Sequence, residues 1–424
     1  MKFHRVELEL KTVTPAFIGG SDPATDAEWA AKSVRGHLRW WFRAVMGGEL
    51  QGDAGAVREL EDHLFGATSQ KSPLRILASS NHESLVGDAA DGHPLDETQL
   101  GDEWGATDPA VRARLRLSRG ATNPIAYLGF GPIAWNREQH KVIYERARIR
   151  PGHSLRLLLQ WRDRLPEVEI KRASGAKQHI NLEAALQKAL WCWLHLGGIG
   201  GRSRRGFGSL ECVAVHMRNG ERTFFEPIKT LARFEEDAKS LLETARTASA
   251  VAMWSHFTND TRIYLSTTSY PAWGNALSAA GAWLIAFRRR YGLASDERTS
   301  VRNRDYVWLK SSASPAGVPD RAGFGLPLPF GQGEDLVAAW RSGGRRSGDH
   351  EESGRRGSPL LIHVARFEGK HHLVFTYMPA LLVPKDKEIY FRGQHSEPTV
   401  GQKKIVSDFL DDLADVKKKI RRAL

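Results

Sequence analysis

Between Arg5 and Thr12 the chain alternates Arg5, Glu7, Glu9 and Lys11 with Val6, Leu8, Leu10 and Thr12. A period of two belongs to a strand with one face in the core. Beyond the turn-rich TPAFIGGSDPATDAEW the period lengthens, and Leu38, Trp41, Phe42 and Val45 fall at i, i+3, i+4 and i+7. This predicts a helix capped by Ser33 and stopped by Gly47 and Gly48. SPLRILAS (72–79) reads as a second strand, and RARLRLSR and HSLRLLLQW as two more, with AYLGFGPIAW between them. Asn181 then caps LEAALQKALWCWLHL, where Leu182, Ala185, Leu186, Ala189, Leu190, Trp193 and Leu194 form a wide apolar stripe that Gly197 ends. FGSLECVAVH follows as a strand.

Reduced to order, this half reads strand, helix, strands, helix, strand, the βαββαβ pattern of a ferredoxin-like domain with insertions. EPIKTLARFEEDAKSLLETARTA predicts a connecting helix. DTRIYLSTTSY then reads as a strand, GNALSAAGAWLIAFRRRYG as a helix, and PLLIHVARFEGKHHLVFTYMPALLV as a hairpin turning at EGKH. GQKKIVSDFLDDLADVKKKIRRAL reads as one last helix with Ile405, Phe409, Leu413, Val416 and Ile420 on one side. The expected class is α+β, with two tandem ferredoxin-like domains with insertions, the second degenerate. The boundaries fall at 1–225, a connecting helix at 226–249, and 250–424. The acidic, aperiodic stretch near 80–110 is expected to be a surface insertion. RSGGRRSGDHEESGRRGSP (341–359), almost without apolar residues, is expected to be a disordered loop.

Composition narrows the function. With 61 Lys and Arg against 49 Asp and Glu in 424 residues, the net charge is +12, which favours a polyanionic partner. No stretch reaches the roughly 20 apolar residues of a membrane span, and MKFHRVELEL lacks the apolar core of a signal peptide. A cytoplasmic protein without a membrane partner is expected. Cys192 and Cys212 sit among apolar neighbours and are expected to be buried thiols.

The most distinctive segment is GGIGGRSRRGFG, with six glycines and three arginines from Gly197 to Gly208. It lacks the Gly-Lys-Ser/Thr of a phosphate-binding P-loop. It also follows a helix and precedes a strand, the reverse of a dinucleotide fingerprint. Two readings remain. The loop is either a turn packed on its own domain, or a backbone cradle for phosphates, with Gly197, Gly198, Gly200, Gly201 and Gly206 admitting close approach and Arg202, Arg204 and Arg205 supplying charge.

In SVRGHLRWWFRAVM, Arg35, Arg39 and Arg43 recur every fourth residue, roughly 100° from the apolar face. This stripe is either solvated or a second wall for the same groove, with Lys32 just ahead of the helix start, where N–H groups attract anions. The 16 histidines include no H-E-x-x-H or other metal-ligand spacing, so no metal or cofactor is expected. Asp22 and Asp26 lie in the loop after the first strand, where they either hold a divalent ion or shape a turn. His195 is either a general base or a structural histidine.

TPAFIGG, SVRGHLRWWFRAVMGG, LFG (64–66), GGIGGRSRRGFGSL and RAGFGLPLPF, in this order, resemble the RAMP superfamily and, within it, the first RAMP subunit of Cmr (type III-B) CRISPR effector complexes. The glycine-rich loop ahead of a last strand marks the superfamily. The SVRGHLRWWFR stretch after TPAFIGG points to this subunit. The resemblance implies tandem ferredoxin-like domains and a non-catalytic subunit that caps the guide RNA 3′ region, contacts guide or single-stranded target RNA, and packs against other RAMP subunits. It implies an RNA-facing loop at Gly197, Gly198, Gly200, Gly201, Arg202, Arg204, Arg205 and Gly206, with Ser33, Arg35, Gly36, Arg39 and Arg43 as the matching helix positions. Backbone subunits of such complexes cut target RNA with an aspartate after their first strand. The rival expectation is therefore an endoribonuclease dependent on a metal at Asp22 and Asp26, or on His195.

Overall fold

The computed structural model describes residues 3–80, 123–136, 141–217, 224–248, 254–290, 320–325, 328–330, 335–337, 356–382, 389–391, 394–396 and 400–424. In chain order the first part comprises β1 (Phe3–Thr12), α1 (Ala31–Glu49), α2 (Ala54–Phe65), β2 (Arg75–Ser80), α3 (Pro124–Leu128), β3 (Ile133–Asn136), β4 (Lys141–Tyr144), β5 (Ser154–Arg162), β6 (Glu167–Lys171), β7 (Lys177–Asn181), α4 (Leu182–Leu196) and β8 (Leu210–Met217). After α5 (Leu231–Glu243) come β9 (Arg262–Ser266), α6 (Trp273–Arg290), β10 (Leu328–Phe330), β11 (Asp335–Val337), β12 (Leu360–Phe367), β13 (Lys370–Tyr377), β14 (Ile389–Phe391), β15 (Gln394–Ser396), α7 (Val400–Asp411) and β16 (Ile420–Arg422).

Two four-stranded antiparallel sheets organise these elements, β2-β5-β1-β8 and β12-β13-β9-β16. Each sheet takes its own strands in the spatial order second, third, first, fourth, and each half has a helix after its first strand and another after its third. The protein is thus a mixed α and β structure of antiparallel sheets and covering helices. Val6, Leu8 and Leu10 point inward from β1 against Leu38, Phe42 and Val45 of α1 and the apolar stripe of α4. A second core gathers α6, α7 and the inner face of the second sheet, and it also takes in Ile125, Leu128, Ile133 and Tyr144 from the first half.

Local chemistry accounts for most of the expected elements. Asn181 caps α4 by accepting the Ala184 N–H at 2.9 Å, and Gly197 follows its last residue. Four expectations need correction. The α1 N-cap is Ala30, without a side-chain cap, so Ser33 does not cap the helix and Lys32 lies inside its first turn. The helix also runs through Gly47 and Gly48 to Glu49. A Cβ at Gly47 would come within 2.2 Å of the Trp254 ring, and one at Gly48 within 1.7 Å of the Ala245 carbonyl. These glycines let the connecting segment cross α1; they do not end it.

The final predicted helix breaks. After Asp411 it loosens into a π turn at Asp412–Val416, Lys418 takes φ +53°, and Ile420–Arg422 add to β9 as the sheet's fourth strand. The second half is therefore complete in strands. Finally, the described end of the expected 341–359 loop is fixed, because the Ser358 carbonyl accepts a hydrogen bond from Arg204 at 2.9 Å. Most of the 80–110 insertion, the RARLRLSR strand and residues 341–355 lie outside the described residues.

Candidate nucleic-acid interface

The glycine-rich loop is laced to the segment that follows β1. Gly201 N–H donates to the Phe17 carbonyl at 2.8 Å, Gly208 N–H to Pro15 at 2.8 Å, and Ile199 N–H to Gly208 at 2.9 Å. Thr14 Oγ1 donates to the Gly206 carbonyl at 2.8 Å and accepts from Ser209 N–H at 2.9 Å. Gly200 N–H donates to His37 Nε2 of α1 at 3.2 Å. Close approach accounts for the glycines. A Cβ at Gly200, which has φ +81°, would sit 2.4 Å from the Phe17 carbonyl, and one at Gly198 2.8 Å from the Phe207 carbonyl. The loop is packed on its own domain and against β12, whose Ile362 N–H donates to the Arg204 carbonyl, and the N–H groups named above are already satisfied. Charge must then come from its side chains.

The three arginines stand in three environments. Arg202 is exposed, in the left-handed region at φ +60°, and its pKa is lowered by partial burial of its guanidinium and, after that, by Arg146 beside it. Arg204 lies over the Trp40 ring at 5.1 Å, and burial, followed by Arg356, brings its pKa down to about 10. Arg205 is half-buried, with Nη1 enclosed and without a hydrogen-bond partner. Burial comes first among the causes that lower its pKa to about 10, followed by Arg288, Arg202 and Arg204. Among the described residues, none of the groups acting on these three guanidiniums is a carboxylate. Arg288 donates to the Tyr127 hydroxyl and lies over the Phe324 ring at 5.0 Å, so the cluster draws on both halves of the chain.

Facing the loop across a cleft of about 470 Å³ are Ser33, Gly36, His37 and Trp40 of α1. Burial lowers His37 to a pKa of about 4, so it is the neutral acceptor that Gly200 requires. The helix and the loop therefore converge, but not through the expected arginine stripe. Arg35 donates to the Phe65 and Leu74 carbonyls at 3.0 and 3.2 Å. Arg39 and Arg43 both pair with Glu61 of α2, which is only 6% exposed. They line a neighbouring pocket of about 710 Å³ with Arg58 and Trp254, and Trp40 is the wall common to both spaces. Lys32 is exposed and 4.0 Å from Glu28.

The candidates for turnover are engaged elsewhere. Asp22 accepts from Ala24 N–H at 3.0 Å and from the Thr25 hydroxyl at 2.8 Å, which holds its carboxyl below the usual range. Asp26 accepts from Ser21 N–H at 3.0 Å. Both shape the turn after β1. His195 is buried against Trp191, Phe225 and Phe234, where burial lowers its pKa to about 3. Among the described residues no group of three or more His, Cys, Asp and Glu is placed to hold a metal. Both cysteines are free and buried, and no described helix is long and apolar enough to cross a membrane.

Residues 9–211 match the family model of the RAMP superfamily. CRISPR system Cmr subunit Cmr1-2 of Pyrococcus furiosus is 27% identical over 205 residues, which are 48% of this chain and 92% of that protein. Subunit Cmr1-1 of the same organism is 24% identical over 207 residues, 49% of this chain and 47% of that protein, so the match spans about half the length of that relative. Among solved structures, apo Cmr1 from Pyrococcus furiosus is similar with a TM-score of 0.49 at 18% identity, covering 100% of this chain and 99% of that one. A chain of the type III-B Cmr-beta complex bound to cognate target RNA and AMPPnP, in the presence of ssDNA, gives 0.47 at 13% identity, covering 96% and 99%.

Proposed function

From a RAMP-superfamily region over residues 9–211 and a sequence similar to Cmr1 subunits of Cmr complexes, we propose that this chain is a non-catalytic RNA-binding subunit of a type III-B CRISPR ribonucleoprotein. It caps the guide RNA 3′ region, contacts guide or single-stranded target RNA, and packs against other RAMP subunits in the cytoplasm. Its two sheets are read as tandem ferredoxin-like domains, a reading supported by the strand order they have in common.

The observation that carries this reading is the arginine cluster, on which no carboxylate acts among the described residues. Arg202, Arg204, Arg205 and Arg288 crowd one rim, and Arg205 keeps an enclosed, unpartnered Nη1. Like charges at close range disfavour one another, and a half-buried guanidinium without a counter-charge destabilises the free protein. A sugar-phosphate strand laid along the rim supplies the missing negative charge and bidentate acceptors. Trp40 and the uncapped start of α1, with no acidic residue in its first turn, suit the same polyanion.

The test is a salt titration of single-stranded RNA binding by the whole protein. Arg202→Ala combined with Arg146→Ala is expected to weaken binding to unrelated sequences alike. It should also flatten the log–log salt slope by about 0.7 for each phosphate contact removed. An unchanged affinity and slope would remove the assignment. Incubation with RNA and magnesium or manganese tests the enzymatic alternative: cleavage lost in Asp22→Ala, Asp26→Ala or His195→Ala would replace the binding role with a ribonuclease.

A further inference from the structure

At 71% exposure, Phe130 is the most exposed large apolar side chain among the described residues, in a protein that buries Phe42, Phe207, Phe234, Phe257, Phe375 and Phe409 completely. Leaving a phenylalanine in water forgoes about 1.5–3 kcal/mol of burial. The backbone under this ring is nevertheless fixed. Gly129 N–H donates to the Ile125 carbonyl at 2.8 Å, Ile133 N–H to Gly129 at 3.0 Å, and Glu145 N–H to Pro132 at 2.9 Å. Asn123 caps the short helix α3 in front of the turn by accepting from Ile125 and Ala126 at 2.9 and 3.3 Å. That helix lies directly on α6, where a Cβ at Gly281 would strike the Pro124 carbonyl at 2.5 Å. An ordered turn thus holds an aromatic ring out into solvent.

The turn also touches the arginine rim. Arg202 Nη2 lies 3.5 Å from where a Cβ on Gly131 would stand, and Pro132 Cγ 4.0 Å from where one on Gly201 would stand. Gly131, at φ +104°, keeps that space open. Arg146, exposed on the same rim, acts on Arg202. An exposed ring on a turn that the Arg202 guanidinium approaches at the next residue matches what single-stranded nucleic acid offers, because each nucleotide presents the flat face of a base next to a phosphate.

We infer that Phe130 is a stacking platform for an unpaired nucleobase whose flanking phosphate is held by Arg202 and Arg146. The inference rests on the RNA-binding reading above and adds to it a contact of a different kind, one that neutralises no charge and is independent of the base's identity. It places a stacking site at the outer end of the glycine-rich loop, carried by a segment that neither four-stranded sheet contains.

Binding of the full-length protein to unstructured single-stranded RNA tests it by fluorescence anisotropy across a salt series. Phe130→Ala is expected to weaken binding about 5- to 150-fold, the range that loss of one base–aromatic stack gives, with an unchanged salt slope. Phe130→Trp should restore affinity, and the melting temperature of both variants should equal that of wild type. An RNA with an abasic nucleotide at the stacked position should bind wild type more weakly, and Phe130→Ala should no longer distinguish it from the intact strand. Wild type that fails to bind RNA overturns the functional reading and this inference together. Wild type that binds while Phe130→Ala binds equally well overturns the inference alone, and lost association with a protein neighbour at unchanged RNA affinity would assign the ring to a protein contact. A flattened salt slope in Phe130→Ala would overturn it too, by showing a disturbed arginine rim.

Discussion

Arg205 and Arg202 are three positions apart and chemically identical, yet the fold treats them oppositely. Arg202 reaches solvent, whereas Arg205 bonds through its backbone to Arg202 and bridges Ile362 of β12, with its guanidinium among other guanidiniums. Replacing Arg205 by Met keeps volume and removes an uncompensated charge, so the free protein should gain roughly 1–3 kcal/mol. RNA should then bind less tightly, because part of its attraction is relief of that charge; thermal melts with and without RNA read both effects. Gly200→Ala should lose about 1–3 kcal/mol in the same melts, since its Cβ would meet the Phe17 carbonyl at 2.4 Å from a positive φ. Arg202 was legible from the sequence as a charged loop residue. The lacing of the glycines was not, because their partners Pro15, Phe17 and His37 are distant along the chain. Ser33 and Gly36 are among the motif positions, but His37 and Trp40, which complete the cleft wall with them, were not singled out, although the four fall at i, i+3, i+4 and i+7, the spacing that identifies a helix face. The arginine stripe was equally regular, but Glu61, which pins Arg39 and Arg43, lies on another helix.

Most elements whose caps and periodicity agreed were legible, and those whose tertiary contacts overrode these signals were not. Helix α2 carried both signals, with Asp53 accepting from Ala56 N–H at 3.0 Å and Val57, Leu60 and Leu64 buried, yet it was not anticipated. The chain end is the opposite case. Its apolar spacing continues as in a helix through Ile420, but β9 has an open edge, and Ile420, 2% exposed, fills the second core from a strand. Arg421 pairs with Glu235 of α5, and the Lys418 and Lys419 carbonyls accept from Thr267 Oγ1 at 2.9 and 3.0 Å. The geometry at Lys418 separates the two readings by sign. Inside a helix, Lys418→Gly would cost about 1 kcal/mol. At φ +53°, glycine relieves a left-handed backbone and offsets its own chain entropy, so denaturant titration should show stability unchanged or slightly raised.

At the scale of the molecule, the glycine-rich loop is also the seam. Ile362 N–H donates to the Arg204 carbonyl at 3.0 Å and Val364 N–H to Ser209 Oγ at 3.1 Å, so the edge strand β12 of the second sheet is bonded to residues of the first half. Arg366 reaches Glu211 of β8 at 3.3 Å across the same line. His363 Nδ1–H donates to the Gly197 carbonyl at 2.6 Å, which leaves Nε2 bare, buried and without a partner, as it is in His195 nearby. A proton arriving at either ring nitrogen would bring charge into an apolar seam. Burial accordingly lowers His363 and His37 to about 4 and His195 to about 3. In the unfolded chain these histidines titrate near 6.5. Between that value and about 4 the unfolded state therefore binds more protons than the folded one, and stability rises with pH through the window and falls as it is acidified. Each histidine can contribute a slope of up to about 1.4 kcal/mol per pH unit there. The two halves should unfold in a single calorimetric transition whose midpoint drops as pH is taken from 7 to 5. His363→Asn, which keeps a donor near the Nδ1 position, should flatten that drop. Two separate transitions at pH 7, or a slope untouched by the substitution, would mean that the halves are held together by something other than this seam.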